Sequence, residues 1–290
     1  AYVADGTNGL EVINFANPTN TQRVGGLPSG DFARNVAVAG LYAYLADGTN
    51  GLQVIDISNP ALPWRAGRAR STEAMAVAIS SGYAYMADWN IGLQILDISD
   101  PPNPQRISVF PTLGNAWTVA VGGHYAFVAD WYGYGLQIID VANPAKPKQV
   151  GSFDTPGIIQ GVAVSANYVY LTDHWPDWKT RLQILDISDP AQPVCVGSYT
   201  NIGSSVGLAI SGHYLYQADI WTGLSVIDVS DPARPHRVGA NKSFVTSALS
   251  INGNKILARL GGFDPRSKNF QRGSAWGSSP GFFQTPGKWL

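Results

Sequence analysis

The residues best suited to chemistry in this chain are aromatic, and most of them follow a recurring aspartate. That Asp stands at positions 5, 47, 88, 130, 173 and 219. Its first two copies are followed by Gly-Thr-Asn. Later copies read Trp89-Asn90-Ile91, Trp131-Tyr132-Gly133-Tyr134, His174-Trp175-Pro176-Asp177-Trp178-Lys179 and Ile220-Trp221-Thr222. An aromatic face offers apolar area at little entropic cost, which suits stacking on sugar rings or gripping a peptide. Trp117, Arg34, Glu73 and Gln160 stand beside the start of a first strand and are expected on the same side. His174, Asp177 and Lys179 would add hydrogen bonds and charge to that ligand-binding set. The competing reading is that the rings pack against one another as small cores between loops.

Catalytic and metal chemistry find less support. The four histidines, His124, His174, His213 and His236, show no zinc-ligand spacing, and the only glutamates are Glu11 and Glu73. A paired-carboxylate hydrolase would have to draw on Asp177, Glu73 or the recurring aspartates. A residue present in every copy serves the unit first, so the recurring Asp reads as a turn cap, as in Asp5-Gly6-Thr7-Asn8-Gly9. There is no nucleophile elbow, phosphate loop or dinucleotide fingerprint. Cys195 reads as a small buried hydrophobe. No catalytic residue, cofactor or metal is expected.

The elements that must position these residues come from an internal repeat. Successive copies of the Asp are 42, 41, 42, 43 and 46 residues apart. After each comes a Leu-led apolar segment: Leu10 to Asn14, Leu52-Gln53-Val54-Ile55-Asp56, Leu93 to Asp97, Leu136 to Asp140, Leu182 to Asp186 and Leu224 to Asp228. An Asx-Pro turn then follows, at Pro18, Pro60, Pro101, Pro144, Pro190 and Pro232. Within one period the alternation predicts four short strands, at 36–39, 42–46, 53–57 and 64–68 in the second copy. Four strands per ~40–45 residues, repeated in series, is the signature of a β-propeller blade. The first strands carry small residues between larger ones, as in Val36-Ala37-Val38, which suits crowded packing.

The Leu-Gln-Val-Ile-Asp segments and their Asx-Pro turns resemble the LVIVD repeat over residues 1 to about 260. Gln usually stands where the family name has its first Val. The resemblance implies a propeller of the kind found in bacterial and archaeal cell-surface proteins, and it carries no catalytic residues to transfer. An extracellular or cell-surface location is therefore expected, with any signal peptide outside this chain, since Ala1 already lies in a strand.

The expected fold class is all-β: a β-propeller of four-stranded blades, six-bladed with a composite closing blade, the alternative being seven-bladed. Residues 249–260 match a first and second strand, and the N-terminal segment would complete that blade. Residues 1–260 would form the propeller domain. Residues 261–290 contain no Val or Ile and many Gly, Ser and Pro, and read as an irregular tail.

Composition agrees with this architecture. The chain has 290 residues, 13% charged, with a net charge of −1 and no Lys/Arg run, which argues against a nucleic-acid partner. No apolar run is long enough for a transmembrane helix. The function expected is that of an extracytoplasmic binding or interaction propeller whose partner is a carbohydrate or a protein. The alternatives are an enzyme acting on a polysaccharide across the same face, and a structural spacer of a surface assembly.

Overall fold

The structure, a computed structural model, describes residues 1–14, 22–131, 135–174, 179–202, 205–219, 222–241, 246–252, 255–260 and 282–284. Side chains are described up to residue 240, apart from 179, 201, 202 and 206. Every described element is a strand. The first sheet holds β1 (Tyr2–Ala4), β2 (Leu10–Asn14) and β3 (Gln22–Leu27). The second holds β4 (Ala33–Ala39), β5 (Tyr42–Asp47), β6 (Leu52–Asp56) and β7 (Trp64–Ala69). The third holds β8 (Ala74–Ser80), β9 (Tyr83–Asp88), β10 (Gly92–Asp97) and β11 (Gln105–Phe110). The fourth holds β12 (Ala116–Gly122), β13 (Tyr125–Asp130), β14 (Leu136–Asp140) and β15 (Lys148–Phe153). The fifth holds β16 (Ile158–Ser165), β17 (Tyr168–His174), β18 (Lys179–Asp186) and β19 (Val194–Ile202). The sixth holds β20 (Ser205–Ser211), β21 (Tyr214–Asp219), β22 (Gly223–Asp228) and β23 (His236–Asn241). A last sheet holds β24 (Thr246–Asn252), β25 (Lys255–Leu260) and β26 (Phe282–Gln284).

Strands follow chain order across each sheet, the described pairings are antiparallel, and six sheets carry the Leu-led repeat. This is the all-β propeller that the repeat predicts. The terminal strands pair differently from the single composite blade expected. Among the described residues β1 pairs with β2, whereas β25 pairs with β24 and β26, giving two three-stranded sheets. A hairpin with the adjacent β2 closes a far shorter loop than pairing across the chain's ends. Within the expected tail, Phe282–Gln284 is a strand.

The chain divides into two compact units. One comprises Ala1–Asn14, Gln22–Ile159 and Asp189–Pro193; the other includes Gln160–Ser188 and the residues from Val194 on. In the first unit, apolar clusters fill the space between successive sheets. Leu10, Val12, Leu45 and Ile55 join the first pair, Tyr44, Val54, Met86 and Leu96 the second, and Tyr85, Ile95, Val128 and Ile139 the third. In the second unit Tyr170, Ile184, Leu215 and Ile227 do the same. The middle strands are therefore buried on both faces, and the alternation of a one-sided sheet is lost there. Among the described residues no helix is long and apolar enough to cross a membrane.

Two features of the repeat place the loops. Gly9, Gly51, Gly92 and Gly135, each just before the repeat's Leu or at its strand's start, have φ between +68° and +92°. A Cβ on Gly51 would sit 2.3 Å from the Ala69 carbonyl oxygen, so the turn after the Asp accepts only glycine there. Five first strands, β4, β8, β12, β20 and β24, also open with a β-bulge, with register shifts at Ala33/Asn35, Ala74/Ala76, Ala116/Thr118, Ser205/Gly207 and Thr246/Ala248. The extra residue in the first three is Arg34, Met75 and Trp117, and a bulge re-aims its side chain.

Candidate functional site

The recurring aspartates are buried, each at most 3% exposed; Asp5, Asp47, Asp88, Asp130 and Asp219 cap loops of their own blade, and Asp173 pairs with Arg181 of β18 at 3.5 Å. Asp47 accepts hydrogen bonds from the Ser29 hydroxyl (2.5 Å) and the Asn50 amide (2.9 Å). Asp5 accepts one from Asn8, and Asp219 one from the Thr222 N–H. Asp88 is the most heavily bonded. It takes the hydroxyls of Ser71 and Thr72 and the N–H groups of Thr72 (2.9 Å) and Asn90 (3.0 Å). Gln94 adds its amide at 3.0 Å. In two blades the Gln that follows Leu supports the cap, since Gln94 and Gln137 each donate to the aspartate of their blade, whereas Gln53 donates to the Asn50 carbonyl at 2.7 Å. In the first blade Glu11 replaces Gln and instead pairs with Arg23.

Two carboxylates on this side have their pKa shifted in opposite directions. Burial alone would push Asp88 up, yet the bonds from Ser71, Thr72 and Asn90 hold it below the ordinary aspartate value. Burial prevails at Asp130, whose donors are Gly114, Thr112 and Gln137, and its value is raised.

Above these caps the structure gathers part of the predicted aromatic set, all within the first compact unit. Trp89 and Trp131 each follow the capping aspartate of neighbouring blades, and Trp117 is the bulge residue of β12. Ring centroids lie 4.5 Å apart for Trp117 and Trp131, and 6.1 Å for Trp89 with each of the others. The rings are tilted or edge-on, and all three are half-buried. The three rings pack on one another and keep part of their surface in solvent.

Arg34 and Glu73 extend the same face. Arg34 Nη2 donates to Glu73 Oε1 at 3.0 Å, joining the second and third blades, and the guanidinium lies 5.4 Å from the Phe32 ring centroid. The Glu73 carbonyl accepts the Trp89 N–H at 2.9 Å, which ties this ion pair to the tryptophans. Asn115 was absent from the sequence-derived set. Its side-chain amide donates to the Trp89 carbonyl (2.7 Å) and its own carbonyl accepts the Trp131 N–H (2.9 Å). Its place before a first strand is the one signal that could have found it, since Glu73 stands similarly. Met75, the bulge residue between Arg34 and Trp117, is buried.

Further expected site residues belong to the second unit or lie outside the described residues. Gln160 and His174 are half-buried in β16 and β17 of the second unit, and Lys179 opens β18 there. Tyr132, Tyr134, Trp175, Asp177, Trp178 and Trp221 lie outside the described residues. Cys195 is exposed, in correction of the buried position expected. It belongs to an outer strand, where one face of the sheet has no neighbour to bury it. Among the described residues no group of three or more His, Cys, Asp and Glu is placed to hold a metal ion.

Comparison with known structures returns propellers at low identity. A protein from Lactobacillus plantarum superposes with a TM-score of 0.76 at 12% identity, covering 91% of this chain and 89% of that one. A putative 6-phosphogluconolactonase from Bacteroides fragilis gives 0.73 at 10%, covering 90% and 87%. A periplasmic gluconolactonase from Pseudomonas aeruginosa gives 0.67 at 12%, covering 83% and 81%. At such identity the likeness concerns the fold alone. No curated protein matches the sequence. The LVIVD repeat family model matches residues 1–25, 30–70, 71–112, 113–155, 156–201 and 202–241, one window for each repeat-bearing sheet, and the chain therefore belongs to the LVIVD repeat family.

Proposed function

We propose that this protein is an extracytoplasmic binding propeller, of prokaryotic cell-surface or secreted location, that takes carbohydrate on its aromatic face. The observation that carries this reading is the half-exposed cluster of Trp89, Trp117 and Trp131, anchored from below by Asn115 and flanked by the Arg34–Glu73 ion pair. Rings stacked on one another form a preorganised apolar surface, so a sugar meeting it costs little side-chain entropy. The adjacent guanidinium and carboxylate offer a donor and an acceptor for hydroxyl groups. Location outside the cytoplasm draws support from the resemblance to surface proteins, and one of the similar structures is named as periplasmic.

An enzyme working across this face has less in its favour. It needs two ionisable groups converging on one substrate atom. Among the described residues the carboxylates here are engaged, Glu73 with Arg34 and Asp88 with its hydroxyl and N–H donors.

Glycan-array binding of the wild type and of a Trp89→Ala/Trp131→Ala variant tests the proposal. Loss of a stacking anchor worth ~2 kcal/mol weakens binding about thirtyfold. Equal binding by both proteins overturns it, as does the absence of glycan binding. Capture of a protein ligand instead, lost in the same variant, would move the face to peptide recognition.

A further inference from the structure

Arg65, Arg68 and Arg70 sit on or just beyond β7, the outer strand of the second blade, and all three are exposed. Sequence spacing alone puts Arg65 and Arg68 on opposite faces of a strand. The register does otherwise: Arg65 pairs with Ile55 and Arg68 with Gln53, while the bulge between them absorbs Ala66. Ile55 and Gln53 are two apart on β6, so both arginines point to one face, and Arg70, two beyond Arg68, continues it. The Cα atoms are thus spaced at intervals of ~7 Å.

Among the described residues none of the three forms an ion pair. The nearby carboxylates are committed elsewhere. Asp31 accepts the N–H and hydroxyl of Thr49, both at 2.7 Å, and Asp56 accepts the Ser58 N–H at 2.8 Å. Edge strands often carry a charge to block pairing with other chains. That need accounts for Arg65, whose place is arginine in three other blades as well, Arg23, Arg106 and Arg237. It does not account for Arg68 and Arg70, whose places hold Gly26 and Pro28, Val109 and Pro111, Ser152 and Asp154, and Ser198 and Thr200 after β3, β11, β15 and β19 are aligned with β7.

The stripe also leads somewhere. From Arg70 the chain runs through Ser71 and Thr72 to Glu73, the residue that pairs with Arg34 and accepts the Trp89 N–H. We infer that the glycan taken by the aromatic face is acidic: a polysaccharide bearing carboxylate or sulfate groups, whose chain continues from the tryptophans down the arginine-lined edge of β7. This rests on the carbohydrate reading above and narrows it to a substrate class. Guanidinium groups match carboxylate and sulfate oxygens in a planar, two-point fashion, and evenly spaced cations suit a polymer with regularly spaced anions.

The test measures binding of the full chain to polygalacturonate and dextran sulfate, with dextran as the neutral glycan and single-stranded DNA as the competing polyanion. The wild type, an Arg65→Gln/Arg68→Gln/Arg70→Gln variant and the Trp89→Ala/Trp131→Ala variant are compared at several salt concentrations. The arginine variant is expected to bind at least one acidic glycan about tenfold more weakly than wild type, as three exposed ion pairs imply, with a shallower salt dependence and an unchanged thermal midpoint. Unchanged affinity for both acidic glycans in that variant overturns the inference, as does wild-type preference for dextran; continued loss in the tryptophan variant would leave the aromatic site standing. DNA bound as tightly as the acidic glycans, with the same arginine dependence, also overturns it in favour of nucleic acid. Failure of all glycans to bind the wild type removes both readings.

Discussion

Asp88 and Asp130 occupy the same place in neighbouring blades, yet their pKa values are shifted in opposite directions. Asp88 is held low by its hydrogen bonds, so its contribution to stability is present above the ordinary aspartate value and lost as pH falls through its folded value. Asp130 is raised by burial, so its contribution is present below the ordinary value and lost as pH rises through its folded value. Urea unfolding as a function of pH separates them. Asp88→Asn should cost about 2–3 kcal/mol at neutral pH, because hydrogen bonds to a charged acceptor are lost, and should weaken the acid dependence. Asp130→Asn should be close to neutral at pH 7 and should remove a decline of stability with rising pH. Effects of the same sign at both sites would contradict this account. Their shared role as caps was legible from the turn sequence, because Asx chemistry is local. Their difference was not, since it depends on Ser71 and Thr72 in one blade and on Gly114 and Thr112 in the next.

The unit that repeats is a strand set, and its blades lock through one contact that sequence patterning did not disclose. In the fourth strands Gly25, Gly67, Gly151 and Gly197 lie under the Asx-Pro turn of the following blade. A Cβ on Gly67 would sit 2.3 Å from the Pro102 carbonyl oxygen. The same register position in β11 is Ser108, whose hydroxyl donates to the Pro144 carbonyl at 2.6 Å. Serine there turns a steric conflict into a hydrogen bond. Gly67→Ala should therefore destabilise by about 2 kcal/mol, and the larger Gly67→Ser should recover about 1 kcal/mol of that loss. Ser108→Ala should cost about 1 kcal/mol. Chemical denaturation would show the order; a serine variant less stable than the alanine variant would refute the mechanism. The strands themselves were readable from alternation, Gly and Pro, to within a few residues at their ends. The bulges were not, because an extra residue shows only in the partner strand's register. They matter here, since they place Arg34 and Trp117 on the candidate face.

At the level of the molecule, low charge follows from sheets buried against one another on both faces, and few ion pairs are left to contribute. Arg34–Glu73 is partly exposed and Arg234–Asp231 largely so, which makes each worth no more than about 1 kcal/mol, while Glu11 and Asp173 are the buried partners of Arg23 and Arg181. The thermal midpoint should accordingly change by only a few degrees between low salt and ~0.15 M, because added salt screens exposed charges and leaves apolar packing and buried pairs nearly untouched. A differential scanning fluorimetry series in NaCl checks this; a large fall would show that ion pairs, not apolar packing, hold the blades. The sequence by itself determined the all-β repeat, the six Asp-bearing units and the aromatic character of the later loops, because periodicity, turn chemistry and residue type are local and recur. Only the tertiary structure decided that Trp89, Trp117 and Trp131 meet, that Asn115 ties two of them together, and that Arg65 and Arg68 share a face. Those outcomes depend on register: one bulged residue reverses which side of a strand every later side chain takes, and spacing along the chain carries no record of it.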